Sequence, residues 1–508
     1  MPNPATPPPI PPLKTDGEEH RLHPWSWLFV TLLYLKQFIF PILILLFAGG
    51  RAESRYELLP LLGVGVLALM SLWQYFTYRY RLLDERIEIR SGLLVRELRQ
   101  ITYARIHNVA LHQNLLHRLF NVAEVRLESA GGQKPEAEMR VLRMDKALAL
   151  EKLVRQRGGE IITSDAGDAD AAAHDSHDLL TLPTGEVIRH GLISNRGIVL
   201  VAAGFAAISQ ISTDLFADLG ERAIQSGAGY VEGHQFGWLD ITLSVAALLA
   251  VFVIALRLLS VTTSLLKYHG FALTEAGRRL TVSRGLLSRV RSSVPKRRIQ
   301  AWLLKESVLH RLFKRRALSI DTAVSIAGQQ HERGLSELAP IATPAACDAL
   351  IRHLLPRAEW PLDNWRPLHR LAWLRLWLGD WVFTSAITAA LVWRFGHWGW
   401  LALLWLPWSG FLAWKAAQST GWRLQGELVA VRRGWWSRQW RFAEIDKLQT
   451  LQLSRSPLDR LFGMRGLLLD TAGANALAPL YIAHLRPDDA EALRVALSQR
   501  LAKSPLRW

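Results

Sequence analysis

Residues 284–323 read RGLLSRVRSSVPKRRIQAWLLKESVLHRLFKRRALSIDTA, and two other stretches of the chain carry similar residues at the same spacing. In all three copies a glycine is followed 28 residues later by a phenylalanine: Gly92 and Phe120, Gly285 and Phe313, Gly434 and Phe462. Agreement at fixed positions indicates an internal repeat, and a repeat determines architecture before any local pattern does. The chain is therefore predicted to be a threefold array of one module.

Three further groups of residues keep the same register between the copies. The first group is Arg105-Ile106-His107, Arg298-Ile299-Gln300 and Lys447-Leu448-Gln449. The second is a Leu-[His/Asp]-Arg-Leu-Phe run that ends at each of the three phenylalanines. The third is Glu128-Ser129-Ala130, Asp321-Thr322-Ala323 and Asp470-Thr471-Ala472.

The apolar residues of the chain are concentrated in pairs of segments that precede each copy. The chain has 508 residues, half of them hydrophobic, and a mean hydropathy of +0.10. Six segments approach the roughly 20 residues that a membrane-spanning helix needs: 25–49, 58–78, 192–211, 239–261, 379–393 and 399–417. Many of the 21 tryptophans stand at the ends of these segments, as is typical of membrane interfaces. We predict six transmembrane helices in three hairpins.

The distribution of charge predicts the orientation of these hairpins. The net charge is +17, and the long segments that follow each apolar pair carry most of the arginine. Because positive charge marks the cytoplasmic side, both termini and the three modules are predicted to face the cytoplasm. The single cysteine, Cys347, rules out an internal disulfide, and we interpret it as a small core residue.

The module has the pattern of an antiparallel sheet closed by a helix. Arg86 to Arg90 alternate polar and apolar residues, as in a half-buried strand. The shared glycine supplies the positive φ of a tight hairpin. The Leu-[His/Asp]-Arg-Leu-Phe run is predicted to be a short turn that packs apolar residues inward. Closing helices are predicted at 145–156, 344–355 and 486–501. The predicted organisation is a disordered proline-rich tail (1–24), hairpins at 25–78, 191–262 and 378–418, modules at 79–160, 263–357 and 419–508, and linkers at 161–190 and 358–377.

A membrane hairpin followed by short strands and one helix resembles the bacterial pleckstrin-homology-like membrane proteins of the YdbS/YdbT family, in the three-domain, YdbT-like form. The resemblance covers nearly the whole chain outside the tail and the linker near residues 164–178. It implies three α+β modules, each a partly open β-barrel with a C-terminal helix, that bind ligands and catalyse nothing. It also implies a smaller one-domain relative as a partner. The third copy departs from the pattern at Lys447-Leu448 and at Pro457, which puts its ligand surface in question.

Basic residues of the second copy are the first candidates for a binding surface. Thirteen lysines and arginines lie between residues 278 and 316, against one acid, Glu306. Such a face suits anionic lipid headgroups or a partner, although a solvated face with a topology signal gives the same pattern. The candidate lipid or partner residues are Arg105, Lys296, Arg297, Arg298, Lys314, Arg315, Arg316 and Lys447. Few aromatic residues interrupt the patch, which argues against a nucleic-acid partner.

Two other groups of polar residues are candidates for a structural or functional role. Arg118, Arg311 and Arg460 share one position of the repeat, and we expect them to form structural ion pairs with Glu128, Asp321 and Asp470; a contact with a ligand is the alternative. Lys36 and Gln37 lie within the first apolar segment, where ionisable groups are costly and often functional.

Metal-binding and enzymatic signatures are lacking in the sequence. His174 to Asp178 are interpreted as part of a disordered linker and not as a metal site. No phosphate loop, HExxH, nucleophile elbow or CxxC motif occurs, so no catalytic residue, metal or cofactor is predicted.

These patterns together predict a multi-pass membrane scaffold. Its modules are expected to bind anionic lipid and a partner membrane protein, either a one-domain relative or further copies of the chain, in a larger oligomer. The alternative is a lipid-handling or transport protein that uses the membrane core around Lys36.

Overall fold

A computed structural model describes residues 19–29, 31–32, 65–66, 69, 72–73, 75–92, 96–129, 137–157, 176–211, 221, 225, 237–322, 336–471 and 480–503. The chain divides into two compact units. The first unit is Met1–Asp168, Thr181–Ala272 and Ser283–Ser292, and the second is Ala169–Leu180, Leu273–Val282 and Ser293–Trp508.

The described elements follow the repeat along the chain. Module 1 and the strand before it contain β1 (Glu19–Arg21), β2 (Arg79–Leu82), β3 (Arg86–Ser91), β4 (Glu97–Thr102), β5 (Ile106–Gln113), α1 (Leu115–Leu119), β6 (Val122–Ser129), β7 (Ala137–Arg143) and α2 (Met144–Arg157). Next come β8 (Ser176–Thr181), α3 (Thr184–Ile193), α4 (Arg196–Ile211) and α5 (Trp238–Tyr268). Module 2 contains β9 (Ala272–Ala276), β10 (Arg279–Arg284), β11 (Arg289–Pro295), β12 (Ile299–Glu306), α6 (Val308–Leu312), β13 (Arg316–Thr322), β14 (Glu337–Ala342) and α7 (Pro344–Leu354).

The third copy repeats this order. It begins with β15 (Arg366–Pro367), α8 (Ala372–Phe395), a 3-10 stretch (Gly396–Leu404) and α9 (Trp405–Ser419). Module 3 contains β16 (Gly421–Gln425), β17 (Leu428–Arg433), β18 (Arg438–Glu444), β19 (Leu448–Ser454), α10 (Pro457–Leu461), β20 (Arg465–Thr471), β21 (Leu480–Leu485) and α11 (Pro487–Lys503). A 3-10 turn precedes β5, β12 and β19 at Tyr103–Arg105, Lys296–Arg298 and Ile445–Lys447.

A short strand before each apolar pair joins the edge of the sheet that follows. β1 pairs with β2, and Glu19 forms ion pairs with Arg79 and Arg81. β8 and β15 take the same place beside β9 and β16. Glu19–Arg21 therefore differs from the predicted disordered tail, and Ser176–Thr181 from the predicted disordered linker. Both differences have the same cause. Each short strand forms backbone hydrogen bonds with the edge strand of a sheet that lies far along the chain, so no local pattern indicates it.

The sheet of the second unit joins two modules. Its strand order is β14-β13-β12-β18-β17-β16-β15, so β12 of module 2 lies beside β18 of module 3. Trp302 faces Phe442 and Leu304 faces Trp440 across this antiparallel pair. In the first unit, β5 is hydrogen-bonded to β11, whose residues up to Ser292 belong to that unit. Modules 1 and 2 therefore each contribute their second set of strands to a sheet shared with the next module, whereas β19, β20 and β21 of module 3 form a separate sheet.

Two stretches of the described residues are long and apolar enough to cross a membrane, Trp238–Tyr268 and Ala372–Ser419. The second stretch folds back on itself near Gly396, which has a φ of +63°. Its two arms are antiparallel neighbours, because Trp377 Nε1 donates to the Leu406 carbonyl at 3.2 Å. The described part of the chain does not confirm six spans: Arg196–Ile211 is short, and the segments 25–49 and 58–78 lie mostly outside the described residues.

The predicted hairpin and closing helices are confirmed. Gly92, Gly285 and Gly434 have φ values of +109°, +114° and +86°. The closing helices are Met144–Arg157, Pro344–Leu354 and Pro487–Lys503, each within about two residues of its prediction. In module 1, α2 buries Leu150 against Ile87, Leu127 and Met139 of the sheet.

The Leu-[His/Asp]-Arg-Leu-Phe run is a one-turn helix and not a turn that buries all its apolar residues. Leu119, Leu312 and Leu461 are 76%, 72% and 77% exposed. The residue after each phenylalanine then takes a left-handed conformation: Asn121 (φ +51°), Lys314 (φ +51°) and Gly463 (φ +66°). Lys314, a predicted binding residue, therefore occupies a position that favours glycine.

Replacing Lys314 with glycine is expected to stabilise the protein by about 0.5 kcal/mol. The left-handed conformation costs a lysine about 1–2 kcal/mol, and the extra freedom of glycine in the unfolded chain offsets part of that gain. Thermal unfolding followed by tryptophan fluorescence should show a higher midpoint. Asn121→Gly is the matched control and should change the midpoint less, since asparagine tolerates this conformation. An unchanged or lower midpoint for Lys314→Gly would contradict the argument.

Candidate membrane-proximal cation site and module junctions

The glycine hairpin of module 2 lies against the end of the apolar helix α5. The backbone N–H of Gly285 donates to the His269 carbonyl at 2.9 Å, and that of Leu286 donates to the Leu266 carbonyl at 3.0 Å. These bonds satisfy carbonyl groups that the last turn of a helix leaves without partners. They fix the hairpin at the point where α5 ends.

The same hairpin is the contact point for module 1. Arg118 Nη1 donates to the Leu286 carbonyl at 3.1 Å, and the Ser288 hydroxyl donates to Asn114 Oδ1 at 3.1 Å. Arg118 is the arginine of the one-turn helix α1. The repeat arginine of one module therefore binds the hairpin backbone of the next module.

The second unit repeats this contact between modules 2 and 3. Arg311 Nη2 donates to the Trp436 carbonyl at 2.8 Å and lies 3.4 Å from the Trp435 carbonyl, just after Gly434.

The expected pairing of Arg311 with Asp321 is wrong. Asp321 instead forms an ion pair with Arg441 of β18, and both side chains are largely buried at the junction. The sequence alone did not reveal this exchange of partners, because it depends on which strands become neighbours.

A pocket of about 300 Å³ lies where α9 enters module 3. Its lining comes from the end of α9 and from the β17–β18 hairpin: Lys415, Gln418, Ser419, Arg432, Gly434, Trp435, Arg438 and Trp440. The lining contains three cationic side chains and no carboxylate. An anion is the ligand class that this composition favours.

The electrostatics of the pocket support an anionic ligand. Burial, and then the neighbouring charge of Arg438, hold the pKa of Arg432 below its usual range. The Arg432 side chain is fixed by its Nε, which donates to the Ser419 carbonyl at 3.2 Å. A bound anion would relieve the repulsion between the two arginines, and charge-assisted bonds to phosphate oxygens are among the stronger hydrogen bonds.

Aromatic rings surround the same pocket on its α9 side. Lys415 Nζ lies 4.8 Å from the centre of the Trp414 ring, and the Trp435 ring lies 5.9 Å from that of Phe411. Aromatic rings beside basic residues at the end of an apolar helix are typical of the headgroup level of a membrane.

A second group of cations occupies the corresponding end of α5. Tyr268 is fully buried, and its hydroxyl accepts a bond from Arg196 Nη2 at 2.6 Å. The Arg196 and Arg284 guanidinium groups and Lys267 Nζ lie 5.0, 5.4 and 5.3 Å from the centre of its ring. Sequence reasoning missed this cluster and the module 3 pocket, because their members are scattered along the chain. The rule that cations gather at helix ends was the signal that could have found them.

The residues predicted from sequence have different surroundings. Lys296–Arg298 stand at the end of β11 that is farther from the Gly285 hairpin. Lys296 pairs with Glu275, and burial lowers the pKa of Arg298 to about 10. Arg297 is exposed.

The other predicted residues also differ from one another in surroundings. Arg105 and Lys447 end the equivalent 3-10 turns, where Arg105 is exposed and Lys447 is buried beside Asp446. Arg315 Nη1 donates to the Lys314 carbonyl. Arg316 lies 3.5 Å from Asp348 and 5.2 Å from the centre of the Trp440 ring. Lys36 and Gln37 lie outside the described residues.

In modules 1 and 3, the [His/Asp] position of the one-turn helix contacts the apolar segment of its own module. In module 1, the His117 ring lies 4.3 Å from Phe29. In module 3, Arg375 of α8 pairs with Asp459 at 3.2 Å. Burial acts to raise the pKa of Asp459, but hydrogen bonds from Ser456 and Arg375 keep it below its usual range. In module 1 the one-turn helix therefore contacts both the next module and its own apolar segment.

Comparison with known proteins shows the same threefold division. A family profile described as "Bacterial PH domain" matches residues 30–158, 228–355 and 373–501. The chain is 23% identical over 464 residues to the "UPF0699 transmembrane protein YdbT" of Bacillus subtilis (strain 168), an alignment that covers 87% of this chain and 90% of that protein. No solved structure matches the chain significantly.

Proposed function

Because the chain belongs to the bacterial PH domain family, we propose that it is an integral scaffold of the bacterial cytoplasmic membrane whose modules bind anionic lipid headgroups and a partner membrane protein. The module 3 pocket is the observation that carries the lipid part of the proposal. It combines Lys415, Arg432 and Arg438 with aromatic rings at the end of an apolar helix. The group that fits this chemistry is a phosphate diester attached to a hydrocarbon chain.

The expected contribution of the pocket is measurable. Each basic residue close to an anionic membrane surface contributes about 1 kcal/mol. Replacing both Lys415 and Arg438 with glutamine is therefore expected to weaken binding by at least about tenfold. Arg432 is left in place because it also bonds the Ser419 carbonyl.

The test is a titration of the full-length protein in neutral detergent with a short-chain phosphatidylglycerol, followed by tryptophan fluorescence. Trp435 and Trp440 line the pocket and serve as reporters. Phosphatidylcholine carries the same phosphate diester and acyl chains but no net charge, so it measures the binding that does not depend on headgroup charge. Inorganic phosphate measures the binding of a free anion. We expect saturable binding of phosphatidylglycerol that the double variant weakens.

Arg297→Gln is the matched control, because this exposed arginine belongs to the surface predicted from sequence and is not among the residues that line the pocket. It should leave binding unchanged. Equal weakening by Arg297→Gln and by the double variant would place the lipid surface elsewhere. Equal affinity for phosphatidylcholine and phosphatidylglycerol would remove the anionic headgroup from the proposal.

A further inference from the structure

Modules 1 and 3 each carry one of the two strands that correspond to the β12–β18 junction. Between modules 2 and 3, β12 supplies one edge and β18 the other. Among the described residues, β4 of module 1 pairs with β3 alone, and β19 of module 3 pairs with β20 alone. β4 is the counterpart of β18, and β19 is the counterpart of β12.

The exposure of these strands agrees with their unpaired edges. In β18, Arg441, Phe442 and Ala443 are buried, whereas Glu97 to Gln100 of β4 are all exposed. Leu98 is 51% exposed. In β12, Ala301 and Trp302 are buried, whereas Thr450 of β19 is exposed and Leu451 is partly so. Edge strands with unpaired backbone groups are ready sites for strand addition.

We propose that β19 of one copy of this chain pairs with β4 of a second copy and repeats, between chains, the junction that joins modules 2 and 3. The inference rests on the scaffold function proposed above and names the partner of its modules. A second copy is the favoured occupant because one chain carries both complementary edges, one at each end. Both copies would lie in the same membrane with their modules on the same side, so the contact runs head to tail.

Strand register fixes which residues would meet. Arg99 faces Ile89 in the β3–β4 pair as Arg441 faces Val431 in the β17–β18 pair, so Arg99 is the counterpart of Arg441. By the same comparison, Asp470 faces Thr450 as Asp321 faces Ala301. The buried Arg441–Asp321 ion pair therefore has a counterpart between chains, Arg99 with Asp470. The Leu304–Trp440 pair becomes Leu453 opposite Leu98.

The repeat arginine completes the correspondence. Arg118 and Arg311 each donate to a carbonyl of the next glycine hairpin. Arg460 is exposed, and its guanidinium has no partner among the described residues. In the assembled pair it would take the place at the new junction that Arg118 and Arg311 take at the internal ones.

One position of the new junction differs from the internal one. Glu306 faces Arg438 at the end of the β12–β18 pair, whereas the corresponding residues between chains are Arg455 and Arg96. Like charges directly opposite each other weaken a strand pair. Replacing Arg455 with glutamate restores the internal charge pair and is expected to strengthen the association.

The test is disulfide cross-linking in native membranes between two differently tagged full-length copies, one with Glu97→Cys and the other with Ser454→Cys. The equivalent internal pair, Lys305→Cys with Gln439→Cys, faces across β12 and β18 of one chain and is the positive control. Arg90→Cys, on the central strand β3, replaces Glu97→Cys as the negative control. The native Cys347 is fully buried and does not interfere.

We expect a product that contains both tags, and none with Arg90→Cys. Arg460→Gln should lower its yield about tenfold, since a charge-assisted bond is lost, and Arg455→Glu should raise it. If the internal pair cross-links and the pair between chains does not, the edge is not occupied by a second copy and the inference falls. The lipid titration is independent, so cross-linking without anionic lipid binding would overturn only the lipid part of the proposed function.

Discussion

Arg441→Ala is expected to destabilise the second unit by about 3–5 kcal/mol, because it leaves the Asp321 carboxylate buried without its partner. The side chains of Arg441 and Asp321 are only 10% and 15% exposed. Thermal unfolding of the full-length protein, followed by tryptophan fluorescence, should show a clearly lower midpoint. The lost stability is that of the junction between the two modules, because Arg441 belongs to module 3 and Asp321 to module 2.

A double replacement separates the charge from the packing. Arg441→Met combined with Asp321→Leu removes both charges and keeps apolar volume, so it should be far less destabilising than Arg441→Ala alone. If the double variant is as unstable as the single one, the ion pair is not the cause of the loss.

The loss caused by Arg441→Ala should also shrink at low pH. Burial raises the pKa of Asp321, and Arg441 acts in the opposite direction, so removing Arg441 raises that pKa further. A carboxyl group with a raised pKa in the folded state favours folding when it is protonated, and this contribution is lost as pH rises through the folded value. The gap between variant and wild type should therefore be smaller at about pH 5 than at pH 7, and a gap independent of pH would contradict an unpaired carboxylate.

Gly434→Ala is expected to cost about 3 kcal/mol or more and to weaken the contact with Arg311. Gly434 has a φ of +86°, and an added Cβ would lie 2.0 Å from the Ser437 carbonyl oxygen, which is backbone. The hairpin must therefore rearrange, and the Trp435 and Trp436 carbonyls that face Arg311 move with it. A lower unfolding midpoint and faster proteolysis of the hairpin are the expected results.

Gly426→Ala isolates the conformational part of this cost. Gly426 also has a positive φ, +53°, but the nearest atom to an added Cβ is 3.9 Å away. It should cost only about 1–2 kcal/mol. Equal effects of the two substitutions would show that the close approach of Ser437 is unimportant.

The sequence predicted those features of the fold that depend on short spacings. Gly92, Gly285 and Gly434 indicated the hairpins because a tight turn requires a positive φ. The closing helices were predicted almost to the residue because their apolar spacing and caps are local. The strand Glu19–Arg21 was missed for the opposite reason: its pairing with Arg79–Leu82 crosses an apolar segment and leaves no local pattern.

The candidate site was less predictable, because it is made of residues that only the fold brings together. A cluster of basic residues along the chain suggested Lys296 to Arg298, yet Lys296 and Arg298 are engaged or partly buried within module 2. The structure instead brings Lys415 together with Arg432 and Arg438, which lie beyond a turn and a strand. The repeat arginines were recognised, but Arg311 donates to a backbone carbonyl of a neighbouring hairpin. Counting charges in the sequence cannot predict such a contact.

The hairpin after Gly285 has a mechanical consequence for the first unit. The N–H of Leu286 donates to the carbonyl of Leu266 in α5, and the carbonyl of Leu286 accepts from Arg118 of module 1. One residue is therefore bonded both to the helix and to the neighbouring module. A tilt or rotation of α5 that displaces Leu286 must either break the bond to Arg118 or carry α1 with it. Force applied to that helix would thereby be transmitted to module 1 through this hairpin, in which Leu286 is bonded to both sides.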